Sequence, residues 1–158
     1  MKKQPELMMT KKIITIDYQA KLVAAYEKMQ ERKIRHLPVT YERGAIIGIL
    51  SDREIQRDMK PSKQGIELEL SFDPKFSVKD FMRFPALQVR VESPLSEIVE
   101  RMLKEKVSAY IVTNEHHSIG IVTTEDILKL VSQMLKEGKG SKPNYLLDHV
   151  LMTEGYLV

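Results

Sequence analysis

Two short polar patterns in the chain could bind a sugar. In each, a hydroxyl residue is followed three positions later by an acid: Ser51 by Glu54, and Thr123 by Asp126. A carboxylate at a strand-to-helix junction can accept hydrogen bonds from the 2′ and 3′ hydroxyls of a ribose, as it does in dinucleotide-binding folds. The same spacing is that of a helix capping box, which Ser51 and Glu54 fit literally. Both interpretations stay open on the pattern alone.

A basic pair, Arg35-His36, lies directly before the apolar residues Leu37-Pro38. The guanidinium of arginine is a rigid fork of several donors and suits a phosphate group. The alternative is a solvated charge at the start of a strand. The corresponding later residues are Ser108-Ala109, which carry no charge. This asymmetry favours one good site, with ribose contacts from the second pattern and phosphate contacts from the first.

Patterns for catalysis or metal binding are weak. His116-His117 falls in a predicted turn without further ligands nearby, so it is interpreted as solvated. The chain has no cysteine, which removes thiolate catalysis and cysteine-based metal sites. No glycine-rich phosphate loop and no nucleophile elbow occurs in the sequence. We therefore predict a protein that is not an enzyme, with no catalytic residues, no metal and no required cofactor.

An internal repeat of about 70 residues contains both polar patterns, a length that suits a small α+β subdomain better than a solenoid unit. The alignment pairs Met9 with Met82, Leu22 with Leu95, Met29 with Met102 and, after a slip of one residue, Ser51 with Thr123. Each copy is predicted to run β-α-β-β-α, and in the second copy Ser93-Pro94 reads as a helix start with Pro94 at the first helical position. Helices can cover only one side of such a sheet. The open side must therefore pack against a partner, and the other copy is the obvious candidate.

Composition bounds the class of protein. The chain is 42% hydrophobic and 30% charged, with a formal net charge of +3. Acids alternate with bases, which argues against nucleic-acid binding. We expect no signal peptide, no membrane span and a cytoplasmic location. The predicted divisions are a first repeat at 1–60, a linker at 61–77, a second repeat at 78–136, and a hinge and tail at 137–158.

The two copies resemble a tandem pair of cystathionine-β-synthase (CBS) domains. The resemblance is carried by residues Ile34–Val39, Ile47–Ile55, Val78–Met82 and Ile119–Leu128, and the first copy is similar to stand-alone AcuB-like pairs. It implies an α+β fold of two β-α-β-β-α repeats packed through their sheets with pseudo-two-fold symmetry. It also implies a homodimer that binds an adenine nucleotide or adenosine derivative between the repeats and regulates an effector protein in trans.

The resemblance implies AMP, ADP, ATP or S-adenosylmethionine as candidate ligands. Glu54 departs from the usual Asp, and its extra methylene pushes the carboxylate into space that a ribose would occupy. The ligand-binding residues expected from the resemblance are Thr123, Asp126, Arg35, His36, Leu37, Pro38, Ser51, Glu54, Ala109 and Tyr110.

Three alternatives to this function remain on sequence grounds. The first is a CBS dimer without a ligand, acting as a structural or protein-interaction scaffold, which Glu54 and Ser108-Ala109 favour. The second, a nucleic-acid binder, has only the pI of about 9.0 in its favour. The third is an enzyme, for which no set of acid, base and nucleophile is evident. The apolar tail at 145–151 is predicted to dock onto its own core or across the dimer.

Overall fold

The computed structural model describes residues 9–57, 73, 75–115 and 117–136. The chain divides into two compact units, Met1–Thr123 and Thr124–Val158. Most of the predicted linker, His116, and the predicted hinge and tail at 137–158 lie outside the described residues.

The first repeat forms a three-stranded mixed sheet with two helices. Its elements are β1 (Ile16–Asp17), α1 (Leu22–Arg32), β2 (His36–Tyr41), β3 (Ala45–Ser51) and α2 (Asp52–Gln56). Strand β2 lies in the middle, parallel to β1 and antiparallel to β3. The apolar spacing of α1 predicts its buried face, and Leu22, Ala25 and Met29 are buried there.

The second repeat has the same order of elements. It contains β4 (Gln88–Arg90), α3 (Leu95–Glu105), β5 (Ala109–Asn114), β6 (His117–Thr123) and α4 (Thr124–Lys136). Its sheet again has the middle strand, β5, parallel to β4 and antiparallel to β6. Both α1 and α3 end in a left-handed residue, Lys33 and Lys106, each with φ 52° and ψ 44°. The predicted fold class is confirmed.

One predicted helix start was wrong by a residue. Helix α3 begins at Leu95, and Pro94 is its N-cap with ψ 144°, so Pro94 is extended and is not the first helical residue. Proline fixes only φ, and a φ near −61° is compatible with both positions.

The two sheets pack against each other within the first unit. The buried residues of this contact come from β3, from the segment before β4, and from β5 and β6; they are Ile49, Ala86, Ala109, Ile111 and Ile121. Each sheet thereby covers the apolar face that its own helices leave open.

The segment that leads into each repeat pairs with the sheet of the other repeat. Thr10 forms an antiparallel bridge with Ile121 on β6, and Arg83 forms one with Ile49 on β3. Both bridges are closed by two backbone hydrogen bonds of 2.9–3.2 Å. The two repeats therefore exchange their leading segments, which ties one sheet to the other.

The second unit is described only through α4. Its surface carries an ion pair one turn apart, in which Lys129 Nζ lies 2.7 Å from Glu125 Oε1. Several of its large apolar side chains, Leu128, Val131 and Leu135, are exposed. In the parts of the chain that the structure describes, we found no helix with the length and apolar character needed to cross a membrane.

Candidate functional site

A cleft of about 580 Å³, part of it open to solvent, lies between the two repeats in the first unit. The enclosed part of the cleft is about 100 Å³, smaller than a typical small-molecule site, so most of its volume is open to solvent. One wall comes from the start of β2, the end of β3 and α2. The other comes from the segment before β4 and from the turn between α3 and β5. The lining residues are His36, Ile49, Ser51, Arg53, Glu54, Arg57, Arg83, Leu87, Lys106, Val107, Ser108 and Ala109.

A side-chain hydrogen bond joins the two repeats at this cleft. His36 Nε2 and Ser108 Oγ are 2.7 Å apart, and the direction of the bond depends on the imidazole tautomer. His36 begins β2 and pairs with Ser51 on β3, whereas Ser108 directly precedes β5. Because this bond joins residues 72 apart in sequence, one in each repeat, the geometry of the site depends on how the two repeats are placed.

His36 is held in its neutral form. Burial lowers the pKa of the imidazole, and the nearby Arg35 and Arg53 guanidinium groups lower this pKa further. Asp52 and Glu54 oppose this effect without cancelling it. A neutral imidazole can donate from one ring nitrogen and accept at the other, which suits a polar ligand of either character.

Ser51 and Glu54 form a capping box at the start of α2. The Ser51 backbone N–H donates to Glu54 Oε2 at 2.9 Å, and the Ser51 hydroxyl also donates to this carboxylate. The Ser51 side chain in turn caps the backbone N–H of Glu54. Both residues line the cleft, but the Glu54 carboxylate is already engaged. Binding of a ribose by Glu54 would require it to leave this arrangement, so that role stays a prediction.

The same spacing occurs a third time, at Ser77 and Asp80. The Ser77 backbone N–H and hydroxyl donate to Asp80 Oδ2 at 2.8 and 2.7 Å, which lowers the pKa of the Asp80 carboxyl. This pair caps the short 3₁₀ helix Val78–Asp80. A hydroxyl residue three positions before an acid is therefore a cap at both places where the structure gives its geometry, and the spacing by itself does not identify a ribose site.

Arg35 does not line the cleft. Its Nε donates to Asp52 Oδ2 at 2.7 Å, and its backbone carbonyl accepts from the Asp52 N–H. The guanidinium is still more than half exposed. Its predicted role as the phosphate contact is not tested by this arrangement and stays a prediction.

Four other cations line the cleft, and none of them is among the predicted ligand-binding residues. They are Arg53 and Arg57 on α2 and its end, Arg83 before β4, and Lys106 at the end of α3. The arginines 53 and 57 lie four residues apart, a spacing that places both on one helical face and was visible in the sequence. Arg83 and Lys106 reach the cleft only through the fold, so no local pattern could indicate them.

The remaining predicted residues of the first unit occupy different environments. Ala109 lines the cleft and pairs with Thr123 across β5 and β6. The side chains of Leu37 and Tyr110 are fully buried, and Pro38 is buried opposite Ile49. Four of the ten predicted residues therefore line the cleft: His36, Ser51, Glu54 and Ala109.

Asp126 belongs to the second unit, as the third residue of α4. Thr123 ends β6, the strand that precedes this helix. The arrangement repeats that of the first copy, in which Ser51 ends β3 and Glu54 is the third residue of α2. The pairing of Thr123 and Asp126 on a ribose stays a prediction.

Tyr110 has a structural role that the sequence did not indicate. Its hydroxyl donates to Glu105 Oε2 at 2.7 Å, and the Arg101 guanidinium lies 4.8 Å from the ring centroid. Burial, followed by this hydrogen bond, raises the pKa of Tyr110 to about 12. The side chain thus links the end of α3 to β5, next to the cleft.

Comparison with known proteins identifies both repeats. The model of the CBS domain matches residues 6–60 and 78–133. A homoserine O-acetyltransferase from Methanococcoides burtonii is 29% identical over 125 residues, which is 78% of this chain and 23% of that protein. The chain spans about a quarter of the length of the first curated relatives it matches.

Solved structures share the fold at low sequence identity. An uncharacterized conserved protein from Pyrococcus horikoshii is 24% identical with a TM-score of 0.67, covering 83% of this chain and 93% of that one. An acetoin utilization protein (AcuB) from Vibrio cholerae is 23% identical with a TM-score of 0.64, covering 86% and 95%. A CBS domain pair in complex with 5′-methylthioadenosine and S-adenosyl-L-methionine is 22% identical with a TM-score of 0.65, covering 80% and 93%.

Proposed function

The chain belongs to the CBS-domain family, and we propose that it is a regulatory protein that binds an adenine nucleotide or adenosine derivative in the cleft between its repeats. It controls an effector protein in trans and catalyses no reaction itself. The observation that carries this proposal is the cleft, which takes residues from both repeats and combines apolar walls with polar groups. A CBS pair of the same fold has been solved with two adenosine derivatives.

The cleft offers separate groups for the parts of such a ligand. Ile49, Leu87 and Val107 supply apolar surface for a base. His36 and Ser108 supply hydrogen-bonding groups, and the cations supply positive charge. Thr123 is followed three positions later by Asp126, the pattern that suits a ribose, and we propose from this sequence pattern that the two residues contact the ribose.

The regulatory mechanism is a population shift. A ligand that contacts both walls of the cleft binds one relative arrangement of the repeats more tightly than others, and the bound population follows that difference. The hydrogen bond between His36 and Ser108 lies across the same cleft. An effector that distinguishes the two arrangements would then respond to the ligand.

A thermal-shift panel on the full chain tests the proposal. Adenosine, AMP, ADP, ATP, 5′-methylthioadenosine and S-adenosylmethionine are added at equal concentration, with cytidine and its phosphates as controls. A ligand that binds only the folded state raises the melting temperature. At 100 times its Kd, it adds about 2.7 kcal/mol to the free energy of unfolding. An increase with an adenine compound and none with cytidine compounds supports the proposal. No increase with any adenine compound contradicts it.

The second candidate function is a scaffold without a ligand. It is favoured by the capping box, which engages Glu54, and by the hydrogen bond that already closes His36 onto Ser108. In this case the panel gives no shift, and the protein acts through its surfaces alone.

Self-association and location are further parts of the proposal. We propose a cytoplasmic homodimer, in line with the family resemblance and with the exposed apolar side chains of α4, among them Leu128, which is 66% exposed. Sedimentation velocity at micromolar concentration separates monomer from dimer. A monomer at all concentrations contradicts this part and leaves ligand binding untouched.

A further inference from the structure

The hydrogen bond between His36 and Ser108 cannot be repeated at the pseudo-symmetric position. It joins the two repeats directly, with 2.7 Å between Nε2 and Oγ. In the alignment of the copies, His36 corresponds to Ala109 and Ser108 to Arg35. Because alanine has no side-chain donor or acceptor, the equivalent pair cannot form such a bond. The contact therefore does not follow from the symmetry of the repeats, and it connects them on one side.

Charged groups surround the His36 imidazole or line the cleft beside it. They are Arg35 directly before β2, Asp52, Arg53 and Glu54 on α2, Arg57 at the end of α2, Arg83 before β4, and Lys106 at the end of α3. Asp52 accepts from the Arg35 guanidinium at 2.7 Å, and Glu54 accepts from the Ser51 backbone N–H at 2.9 Å. A positive charge on the imidazole would therefore meet five cations and two carboxylates that are already engaged.

Protonation of His36 is costly in these surroundings. An imidazolium can still donate from Nε2 to the Ser108 hydroxyl, so a proton does not by itself remove the hydrogen bond. The cost is that of a charge with little access to water, which is why burial lowers the pKa of this imidazole. The cleft beside His36 is already open to solvent in part. Separation of its two walls would let water reach the charged ring and would remove this cost.

We infer that the hydrogen bond between His36 and Ser108 is a proton-sensitive latch, which holds the two repeats together at the cleft while the imidazole is neutral and releases them when it takes up a proton. The inference goes beyond the proposed function, because it requires no nucleotide. Histidine is the side chain whose charge ordinarily changes between pH 5 and 8. The arrangement of the repeats therefore responds to pH as a second input, independent of any ligand in the cleft.

Proton linkage gives the direction and the upper limit of the effect. In the released arrangement the imidazole is hydrated and titrates near its ordinary value of 6.5, whereas the latched arrangement lowers this pKa. The advantage of the latched arrangement is therefore complete above pH 6.5 and is lost as the pH falls. Between pH 7.5 and 5.0 the ratio of released to latched molecules rises by up to about thirtyfold.

Distances between spin labels, measured by pulsed electron paramagnetic resonance, test this inference. The chain has no cysteine, so Glu27→Cys and Glu100→Cys direct one label to each repeat. The two residues are exposed and occupy equivalent positions on α1 and α3. The labelled full chain is diluted with unlabelled chain, so that only distances within one molecule are measured, at pH 7.5 and 5.0 without nucleotide. We expect a second distance population at pH 5.0. Identical distributions at the two pH values overturn the inference.

Variants of the labelled chain assign the change to the latch. His36→Gln keeps a hydrogen-bonding group but cannot titrate, so its distribution should be the same at both pH values; His36→Asn serves the same purpose if His36→Gln does not fold. His117→Gln removes an exposed histidine on β6 and should behave like the unmodified chain. Ser108→Ala removes the bond itself, and we expect it to show the second population already at pH 7.5. An acid-induced change of the same size in His36→Gln overturns the inference, as does a Ser108→Ala distribution identical to that of the unmodified chain at pH 7.5.

The latch and the proposed function fail separately. The thermal-shift panel, run at pH 7.5, decides whether an adenine compound binds and does not depend on protonation of His36. The distance measurements contain no nucleotide and decide only whether the repeats respond to protons. A chain that binds adenine compounds but shows one pH-independent distance keeps the proposed function and loses the latch.

Discussion

Met9 packs its thioether directly on the backbone of Gly120, in the hairpin of the other repeat. A methyl group added to Gly120 would come within 2.6 Å of the Met9 sulfur, closer than such groups approach in folded proteins. The equivalent residues, Met82 and Gly48, form the same contact, with 2.9 Å between that sulfur and an added methyl group. Each leading segment therefore lies against a glycine of the opposite sheet, because a residue with a side chain at that position would leave no room for the segment.

We predict that Gly48→Ala destabilises the protein more than Gly120→Ala does. At Gly48 the added methyl would lie 2.8 Å from the backbone carbonyl oxygen of Arg83, which is fixed by its bridge to Ile49. At Gly120 the three atoms nearest to the added methyl all belong to the side chain of Met9, which is flexible enough to move. We expect losses of about 1–3 kcal/mol, as for other overpacked sites, with Gly48→Ala at the upper end.

Urea denaturation followed by circular dichroism measures both losses. Ser118→Ala, at an exposed position on the same hairpin as Gly120, is the control and should change the free energy of unfolding by less than about 0.5 kcal/mol. Equal stabilities of Gly48→Ala and the unmodified protein would show that the leading segment does not pack as described.

The exchange of leading segments explains the limit of prediction from sequence for this fold. Period and composition predicted the helices and the two hairpins, because those depend on neighbours three to ten residues away. The bridges from Thr10 to Ile121 and from Arg83 to Ile49 join residues 111 and 34 apart, and nothing local in the sequence encodes them. The sequence shows that Met9 and Met82 occupy equivalent positions in the two copies, but not that each packs on a glycine of the other copy.

A fall in stability below neutral pH is expected from His36. Its pKa is lowered in the folded state by burial, so the unfolded chain binds a proton near the ordinary value of 6.5 at a pH where the folded chain does not. Stability attributable to this residue is therefore complete above pH 6.5 and is lost as the pH falls through the lowered pKa. Urea denaturation at pH 7.5, 6.5, 5.5 and 5.0 measures the loss.

The variant His36→Gln keeps a hydrogen-bonding group beside Ser108 but cannot titrate, so its stability should vary less over this range. His117→Gln, at an exposed residue on β6, is the control and should behave like the unmodified chain. If His36→Gln and the unmodified chain lose the same free energy between pH 7.5 and 5.0, the imidazole is not held neutral by its surroundings.

The Tyr110 hydroxyl should contribute to stability when no ligand is bound. Tyr110→Phe removes the hydrogen bond to Glu105 and is expected to cost about 1 kcal/mol of unfolding free energy. Because the pKa of Tyr110 is raised to about 12, the folded chain keeps this proton above pH 10, and the stabilisation falls as the pH rises further. Ultraviolet titration should show a tyrosine ionising near 12 that is missing in Tyr110→Phe; identical titration curves would contradict the buried contact.

The candidate site was predictable only where its residues lie on a short motif. His36, Ser51 and Glu54 were found because they flank β2 and β3 in a recognisable pattern, and the structure places all three in the cleft. The charges of Arg83 and Lys106 converge on them from segments that the sequence shows only as ordinary surface. The spacing of Ser51 and Glu54 also predicts a capping box, but only the structure shows that its hydrogen bonds form.

Removal of the two acids at equivalent positions, Glu54 and Asp126, should have different effects. Glu54→Ala is expected to lower the free energy of unfolding by about 1 kcal/mol, because it removes half of the capping box, and to weaken nucleotide binding far less than Asp126→Ala does. Asp126→Ala is expected to weaken binding of an adenine nucleotide by at least about tenfold, through loss of a charge-assisted contact to the ribose. Calorimetric titration with the same nucleotide measures both affinities, and thermal unfolding without nucleotide separates loss of the site from loss of the fold. Equal affinities of the two variants would remove Asp126 from the site, and a larger loss for Glu54→Ala would move the ribose to the first repeat.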